Sequence, residues 1–208
     1  MITIENVNKK FKENNILQNI NLSLEKGNIY GFVGSNGSGK TVLFKIIAGF
    51  LEPTEGTIKI NNKIIGKDID FPTSCGVIIE SPGFISSLSG YKNLKMLADI
   101  KGIIKEDKIK EYMRIFKLDP DDNKKVKSYS LGMKQKLGII QALMEEPEIL
   151  ILDEPMNALD EESVKRVREI LLEIKHKKII LLSSHNKEDI ELLCDDIYKV
   201  EDSTITKC

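Results

Sequence analysis

Two short stretches carry residue types suited to phosphate chemistry. GSNGSGKT, residues 34–41, fits the spacing GxxxxGK[ST]. Gly34, Gly37 and Gly39 allow backbone N–H groups to turn inward on phosphate oxygens. A helix starting after Gly39 adds the positive end of its dipole. Lys40 has the reach for terminal phosphates, and Thr41 offers a hydroxyl to Mg²⁺. Ser35, Asn36, Ser38 and Val42 complete the candidate phosphate-binding run. The second stretch is EILILDEP, residues 148–155, an apolar strand ending in two acids. Asp153 suits Mg²⁺ held through water, and Glu154 could polarise an attacking water. Alone, such a strand end would be read as solvated acids. Beside the cradle it indicates a nucleoside-triphosphate hydrolase or transferase.

A third stretch, VIIESPGF at residues 77–84, places Glu80 where an apolar strand meets a Ser-Pro-Gly turn. In open α/β sheets, carboxyl ends of strands form the rim where ligands bind. Locally, Glu80 reads either as a solvated loop charge or as part of a site.

The elements that must position these residues follow from periodicity. ITIENV and ILQNINLSL alternate as strands of an antiparallel sheet, and GTIKIN follows the EPTEG turn. NIYGFVG, CGVIIE, EILILDEP, KKIILLSSH and DDIYKV read as strands. TVLFKIIAGF, ESVKRVREILLEIK and NKEDIELLC read as the helices between them. Strands alternating with helices imply a parallel sheet. GYKNLKMLADIKG, EDKIKEYMRIFKL and SLGMKQKLGIIQALM form an all-helical block inserted in that pattern.

The 208 residues suit one large domain or a domain with a subdomain. With 31 Lys plus Arg against 32 Asp plus Glu, the formal charge is −1, so no global charge points to nucleic acid. Residues 101–127 hold nine basic and six acidic residues, read as a solvated helical face. Cys75, Cys194 and Cys208 lack metal-ligand spacing and suggest reduced cytosolic thiols. No apolar run approaches the ~18–20 residues needed to span a bilayer, and the N-terminus lacks a signal-peptide core. His176, in KHKK, reads as solvated. The chain ends soon after its last strands, so no C-terminal regulatory domain is expected.

SYSLGMKQKL, residues 128–137, opens the third inserted helix with an N-cap type, Ser130, and a bare first turn at Gly132. Such a terminus is a second anion site without an obvious ligand in its own chain. Here the sequence resembles the ATP-binding cassette (ABC) ATPases. Their signature, LSGGQ in consensus, stands as Tyr129-Ser130-Leu131-Gly132-Met133, continued by Lys134, Gln135 and Lys136. The resemblance runs through essentially the whole chain. It implies a P-loop NTPase (RecA-like) α/β core with a parallel sheet, N-terminal antiparallel strands and an inserted α-helical subdomain. The expected division is one nucleotide-binding domain over 1–208, with core segments 1–85 and 147–208 and a helical subdomain at 86–146.

The resemblance also assigns roles. Glu154 corresponds to the catalytic glutamate and His185 to the switch histidine, with Lys40 as the third catalytic group. Phe11 lies where the family stacks an aromatic on adenine; its other reading is a hydrophobic residue beneath the first strands. Asn157–Asp160 corresponds to the D-loop. Ser130, Gly132 and Asp160 would reach the ATP held by a second copy in a head-to-tail homodimer. Mg²⁺ would be held by Thr41, Asp153 and Glu80. Two departures stand out: Leu131 and Met133 replace the usual Gly and Gln, and Glu80 replaces the usual Q-loop glutamine. Glu80-SPGF with SLGMKQ looks like the ATPases of bacitracin-resistance and lantibiotic-immunity exporters. That implies an ATP- and Mg²⁺-dependent subunit, cytoplasmic and peripheral at the membrane, serving a separate transmembrane permease and not nucleic acid. An importer ATPase and a soluble, non-transport cassette are the alternatives.

Overall fold

Strand β7 (Ile149–Asp153) shows how one short apolar run builds two cores. Ile149 and Ile151 point to one face of the sheet and Leu150 and Leu152 to the other, and all four are buried. A parallel strand covered on both faces needs such a run rather than alternation. In the computed structural model, which describes residues 1–80 and 83–208, β7 lies inside a six-stranded sheet. Its order is β10 (Thr204–Lys207), β9 (Asp196–Glu201), β3 (Ile29–Val33), β8 (Ile179–Ser183), β7 and β6 (Cys75–Ile78). The pairs are parallel except for the β9–β10 hairpin.

A second, antiparallel sheet runs β2 (Asn14–Leu24), β1 (Ile2–Phe11), β4 (Glu55–Ile60), β5 (Lys63–Ile64). Between the two sheets sits α1 (Lys40–Ile47), which buries Leu43, Phe44, Ile46 and Ile47. The opposite face of the large sheet is covered by α4 (Leu131–Leu143), α5 (Glu161–Ile174) and α6 (Lys187–Leu193). Two more helices, α2 (Gly90–Lys101) and α3 (Glu106–Ile115), join α4 in one helical block between β6 and β7 in chain order. Helices α2, α4, α5 and α6 begin where short polar side chains cap them: Ser89, Ser130, Asp160 and Asn186 each accept from a first-turn N–H.

The strand read as CGVIIE is shorter than its apolar run. Pairing stops at Ile78, and Glu80 takes a left-handed φ of 59°, which ends the extended geometry. Glu80 therefore stands beyond the strand tip. Of the turn SPGF that follows, Ser81 and Pro82 lie outside the described residues. Among the described residues no helix is long and apolar enough to cross a membrane.

Candidate functional site

The cradle forms where β3 hands over to α1. Gly37 (φ 81°) and Gly39 (φ 109°) hold left-handed conformations, and a Cβ on Gly37 would meet nothing within 4 Å. Helix α1 has no side-chain cap at Gly39, so its first N–H groups are left for a ligand. The Lys40 ammonium is buried and rests on the loop's own carbonyls, Gly34 O at 2.7 Å and Ser35 O at 2.9 Å.

Sheet order brings the acids to this loop. Parallel pairing places Ser183 of β8 beside both Phe32 of β3 and Asp153 of β7. Ser183 Oγ donates to Asp153 Oδ1 at 2.6 Å, while Thr41 Oγ1 donates to Asp153 Oδ2 at 2.6 Å. One carboxylate is thus fixed from both sides. The Glu154 N–H is held by Ser183 O (3.2 Å) and Ser183 Oγ (3.0 Å), in a left-handed turn at φ 52°. The Glu154 side chain faces the loop after β8. Its Oε2 accepts from the His185 N–H at 3.2 Å, and His185 Nε2 lies 3.2 Å from Oε1 without hydrogen-bond alignment. Burial pushes the Glu154 carboxyl above the usual carboxylate range, against the opposing pull of His185.

A pocket of about 350 Å³ collects these groups: Phe11, Ile16, Asn36 to Val42, Asp153, Glu154 and His185. Phe11 is 45% exposed at its mouth, with Lys9 Nζ 5.0 Å from the ring centre, so it is not buried beneath the first strands. Gly34 and Ser35 act from behind through their carbonyls. Among the described residues, two buried side-chain oxygens lack hydrogen-bond partners, Ser38 Oγ and Glu154 Oε1, and both belong to this pocket. Unpartnered buried oxygens at a lined cavity fit groups completed by a ligand. The donor set also fits Mg²⁺: Thr41 Oγ1 and Asp153 Oδ2 are hard oxygens, and such an ion takes its other ligands from phosphate and water. Among the described residues no cluster of three or more His, Cys, Asp or Glu forms a cage of its own.

Other sequence-predicted residues stand apart. Glu80 does not line the pocket; its Oε1 pairs with Lys45 Nζ at 2.6 Å, and its side chain is 65% exposed. Ser130, Gly132 and Asp160 gather around the start of α4. Ser130 Oγ caps that helix by accepting from Met133 N at 3.2 Å. Gly132 packs so tightly on the D-loop that a Cβ would fall 2.7 Å from Ala158 O. Asp160 Oδ2 accepts from Lys136 Nζ at 2.9 Å while Oδ1 caps α5 through Ser163, and Lys136 with Ser163 holds the carboxyl far below its usual range. His176 is exposed, as expected. Sequence reasoning missed Ile16, Ser183 and Lys45. The doubled serine before His185 was the available signal for Ser183.

A strand–loop–helix phosphate cradle, a strand of the same sheet ending at Asp153 before Glu154 and a histidine in the loop after β8 define a P-loop ATPase of the cassette type. The family described as ABC transporter matches residues 17–157, and the chain belongs to it as an ATPase subunit. The chain is 46% identical over 196 residues to the uncharacterized ABC transporter ATP-binding protein YybJ of Bacillus subtilis, covering 94% of this chain and 90% of that one. It is 39% identical to the bacitracin transport ATP-binding protein BcrA of Enterococcus faecalis, covering 95% of this chain but 65% of BcrA. Against the lantibiotic transport ATP-binding protein SrtF of Streptococcus pyogenes the identity is 36%, covering 95% and 85%. Among solved structures, an ATP-binding subunit of an ABC transporter superposes with a TM-score of 0.91 at 27% identity, covering 100% of this chain and 89% of that one. The ATP-binding cassette MJ0796, solved as a dimer with ADP and Pi, shares the fold at a TM-score of 0.87 and 23% identity, covering 100% and 98%.

Proposed function

We propose that this ATPase subunit powers a bacterial exporter conferring antibiotic resistance or immunity, with bacitracin-like or lantibiotic peptides as the class of cargo. The observation that carries the catalytic reading is the Thr41–Asp153–Ser183 array beside the half-buried, half-unpartnered carboxylate of Glu154. The likeness to BcrA and SrtF supports the cargo class.

Phosphoryl transfer asks the protein mainly for positioning and charge stabilisation. Backbone N–H groups of residues 34–42 hold the phosphates, and Phe11 stacks on the base. Lys40 exchanges its loop carbonyls for phosphate oxygens. Thr41 and Asp153, with Glu80 once freed of Lys45, would hold Mg²⁺, which would offset phosphate charge when bound. Glu154 accepts a proton from the attacking water, a role its raised pKa favours. His185, beside Glu154, contacts the γ-phosphate and orients that water. Two copies close head to tail, so that Ser130, Gly132 and Asp160 of one complete the site of the other. Residues 86–146 act as the helical subdomain and the remainder as the core of a single nucleotide-binding domain.

The partner is a separate membrane-spanning chain, which keeps this subunit cytoplasmic and peripheral. The surface offered to it is an apolar groove of about 270 Å³ between β6 and the helical block, with Phe50 and Ile100 exposed on its rim.

Glu154→Gln with ATP should elute from a sizing column as a dimer; a monomer at saturating ATP would overturn the head-to-tail reading. Cells expressing the chain with its membrane partner should gain bacitracin or lantibiotic tolerance, lost in Lys40→Ala. Equal sensitivity would overturn the cargo class.

A further inference from the structure

Among the described residues, two buried charged groups outside the pocket play no part in the mechanism above, Lys178 and Asp189. Asp189, on α6, is only 2% exposed. A carboxylate at that depth needs a full set of partners. Its two oxygens are served differently. Oδ1 takes both arms of Arg168 from α5, Nε at 2.9 Å and Nη2 at 2.6 Å. Oδ2 accepts from Ser184 Oγ at 2.8 Å. The same Ser184 Oγ accepts from Asn186 N at 3.1 Å. Both neighbours of His185 are therefore tied, directly or through one hydroxyl, to Asp189. His185's own N–H is tied to Glu154.

We infer that Arg168 and Asp189 are positioning residues for ATP hydrolysis, which hold the loop carrying His185 in register with Glu154. An ion pair that only glued α5 to α6 would be complete with Arg168 alone. Here the second oxygen is spent on the loop. Arg168 also takes Glu188 Oε2 at 2.9 Å, so its guanidinium is fixed on two residues of α6. Helix α5 is itself anchored at its start, where Asp160 caps it and accepts from Lys136 of α4. Arg168 lies eight residues further along, about 12 Å at helical rise. One rigid helix thus joins the signature helix α4 to the His185 loop inside a single chain. A shift of α4 relative to the core would reach His185 through Asp160, α5, Arg168 and Asp189.

This inference rests on the reading of His185 as a group that faces the γ-phosphate. The chain offers a direct readout, because it holds two histidines, His176 and His185. His176 is exposed, outside the pocket and outside this network, and serves as an internal reference. The probe is the imidazole NMR spectrum of the intact chain without nucleotide, together with steady-state ATPase kinetics. Asp189→Asn should move or broaden the His185 signals, leave those of His176 in place, and lower kcat about ten-fold with KM for ATP nearly unchanged. Arg168→Lys keeps a charge beside Asp189 but loses the fork, and should fold and give an intermediate displacement and rate. His185 signals coincident with wild type in Arg168→Lys and Asp189→Asn would overturn the inference. So would displacement of both histidines in Arg168→Lys. His185→Ala tests the underlying reading separately: wild-type turnover in that variant removes the role of His185, while the NMR shifts still report whether Asp189 positions the loop.

Discussion

Gln135, on the signature helix α4, donates from Nε2 to the carbonyl oxygens of Glu154 at 3.3 Å and Pro155 at 2.9 Å. The amide is buried, and it ties helix α4 to the turn that carries Glu154 in the same chain. Gln135→Ala leaves two carbonyls without this donor. A stability loss of about 1–3 kcal/mol is expected, since buried polar groups stripped of a partner bear their desolvation cost. Turnover should fall as well, because the turn that aims Glu154 loosens. Urea unfolding and ATPase rate on the same preparation check both parts.

Glu154 gives a prediction with a sign. Its carboxyl is pushed above the ordinary 4.5 by burial, so folding favours the protonated form. Whatever stability that contributes is complete below pH 4.5 and is lost as pH rises through the raised value. At neutral pH the ionised group is a cost to the nucleotide-free fold. Glu154→Gln should therefore melt higher at pH 7.5, by about 2 °C, with the gap vanishing toward acid. Because the base must be ionised to work, the acid limb of the ATPase profile should lie above the usual Glu range. Melting curves and kcat/KM for ATP across pH 4–9 test the two halves independently.

How much of this was legible depends on how local the information was. The cradle is a contiguous motif set by backbone sterics, so residues 34–42 could be read directly. The apolar runs of β3, β7 and β8 and the cap at Ser130 were equally local. Ser183 was not, because its importance comes from sheet order: it sits between β3 and β7 only once β8 does. Arg168 and Asp189 are separated by 21 residues and meet through helix packing. The irregularities of β1 and β2 were also hidden. They arise from asparagines that accept left-handed φ, Asn6 and Asn19, stitched by Asn6 N to Asn21 Oδ1 and Asn19 N to Asn8 Oδ1. The final hairpin turns on Asp202 and Ser203, both left-handed, where no glycine announced it.

Glu80 and Lys45 set a metal-dependence test. Lys45 lies four residues after Thr41, one turn along the same face of α1. It holds Glu80 by a surface ion pair, the kind that yields readily to a competing partner. If Glu80 moves to Mg²⁺ when nucleotide binds, Lys45 competes with the metal for it. Glu80→Gln should raise the Mg²⁺ concentration for half-maximal ATPase rate while leaving the ATP affinity within about two-fold. Lys45→Ala should shift the same curve the other way. Superimposable Mg²⁺ titrations for both variants would return Glu80 to the role of a solvated loop charge.

Gly132 carries the last prediction. In the head-to-tail reading it faces the partner's phosphate, but within its own chain it also lets α4 approach the D-loop. A Cβ there would fall 2.7 Å from Ala158 O, a distance at which backbone must shift. Ala158 itself holds φ 62°, so the loop has little freedom to yield. Gly132→Ala should therefore be felt in the nucleotide-free monomer, as overpacking worth about 1–3 kcal/mol. The displaced turn includes Asp160, the cap of α5. If Gly132 acted on the partner's ATP alone, the monomer would melt as wild type and only ATP-driven dimerisation would suffer. Melting temperature without nucleotide separates the two, and a clear loss there makes the signature glycine a packing residue first and a nucleotide contact second.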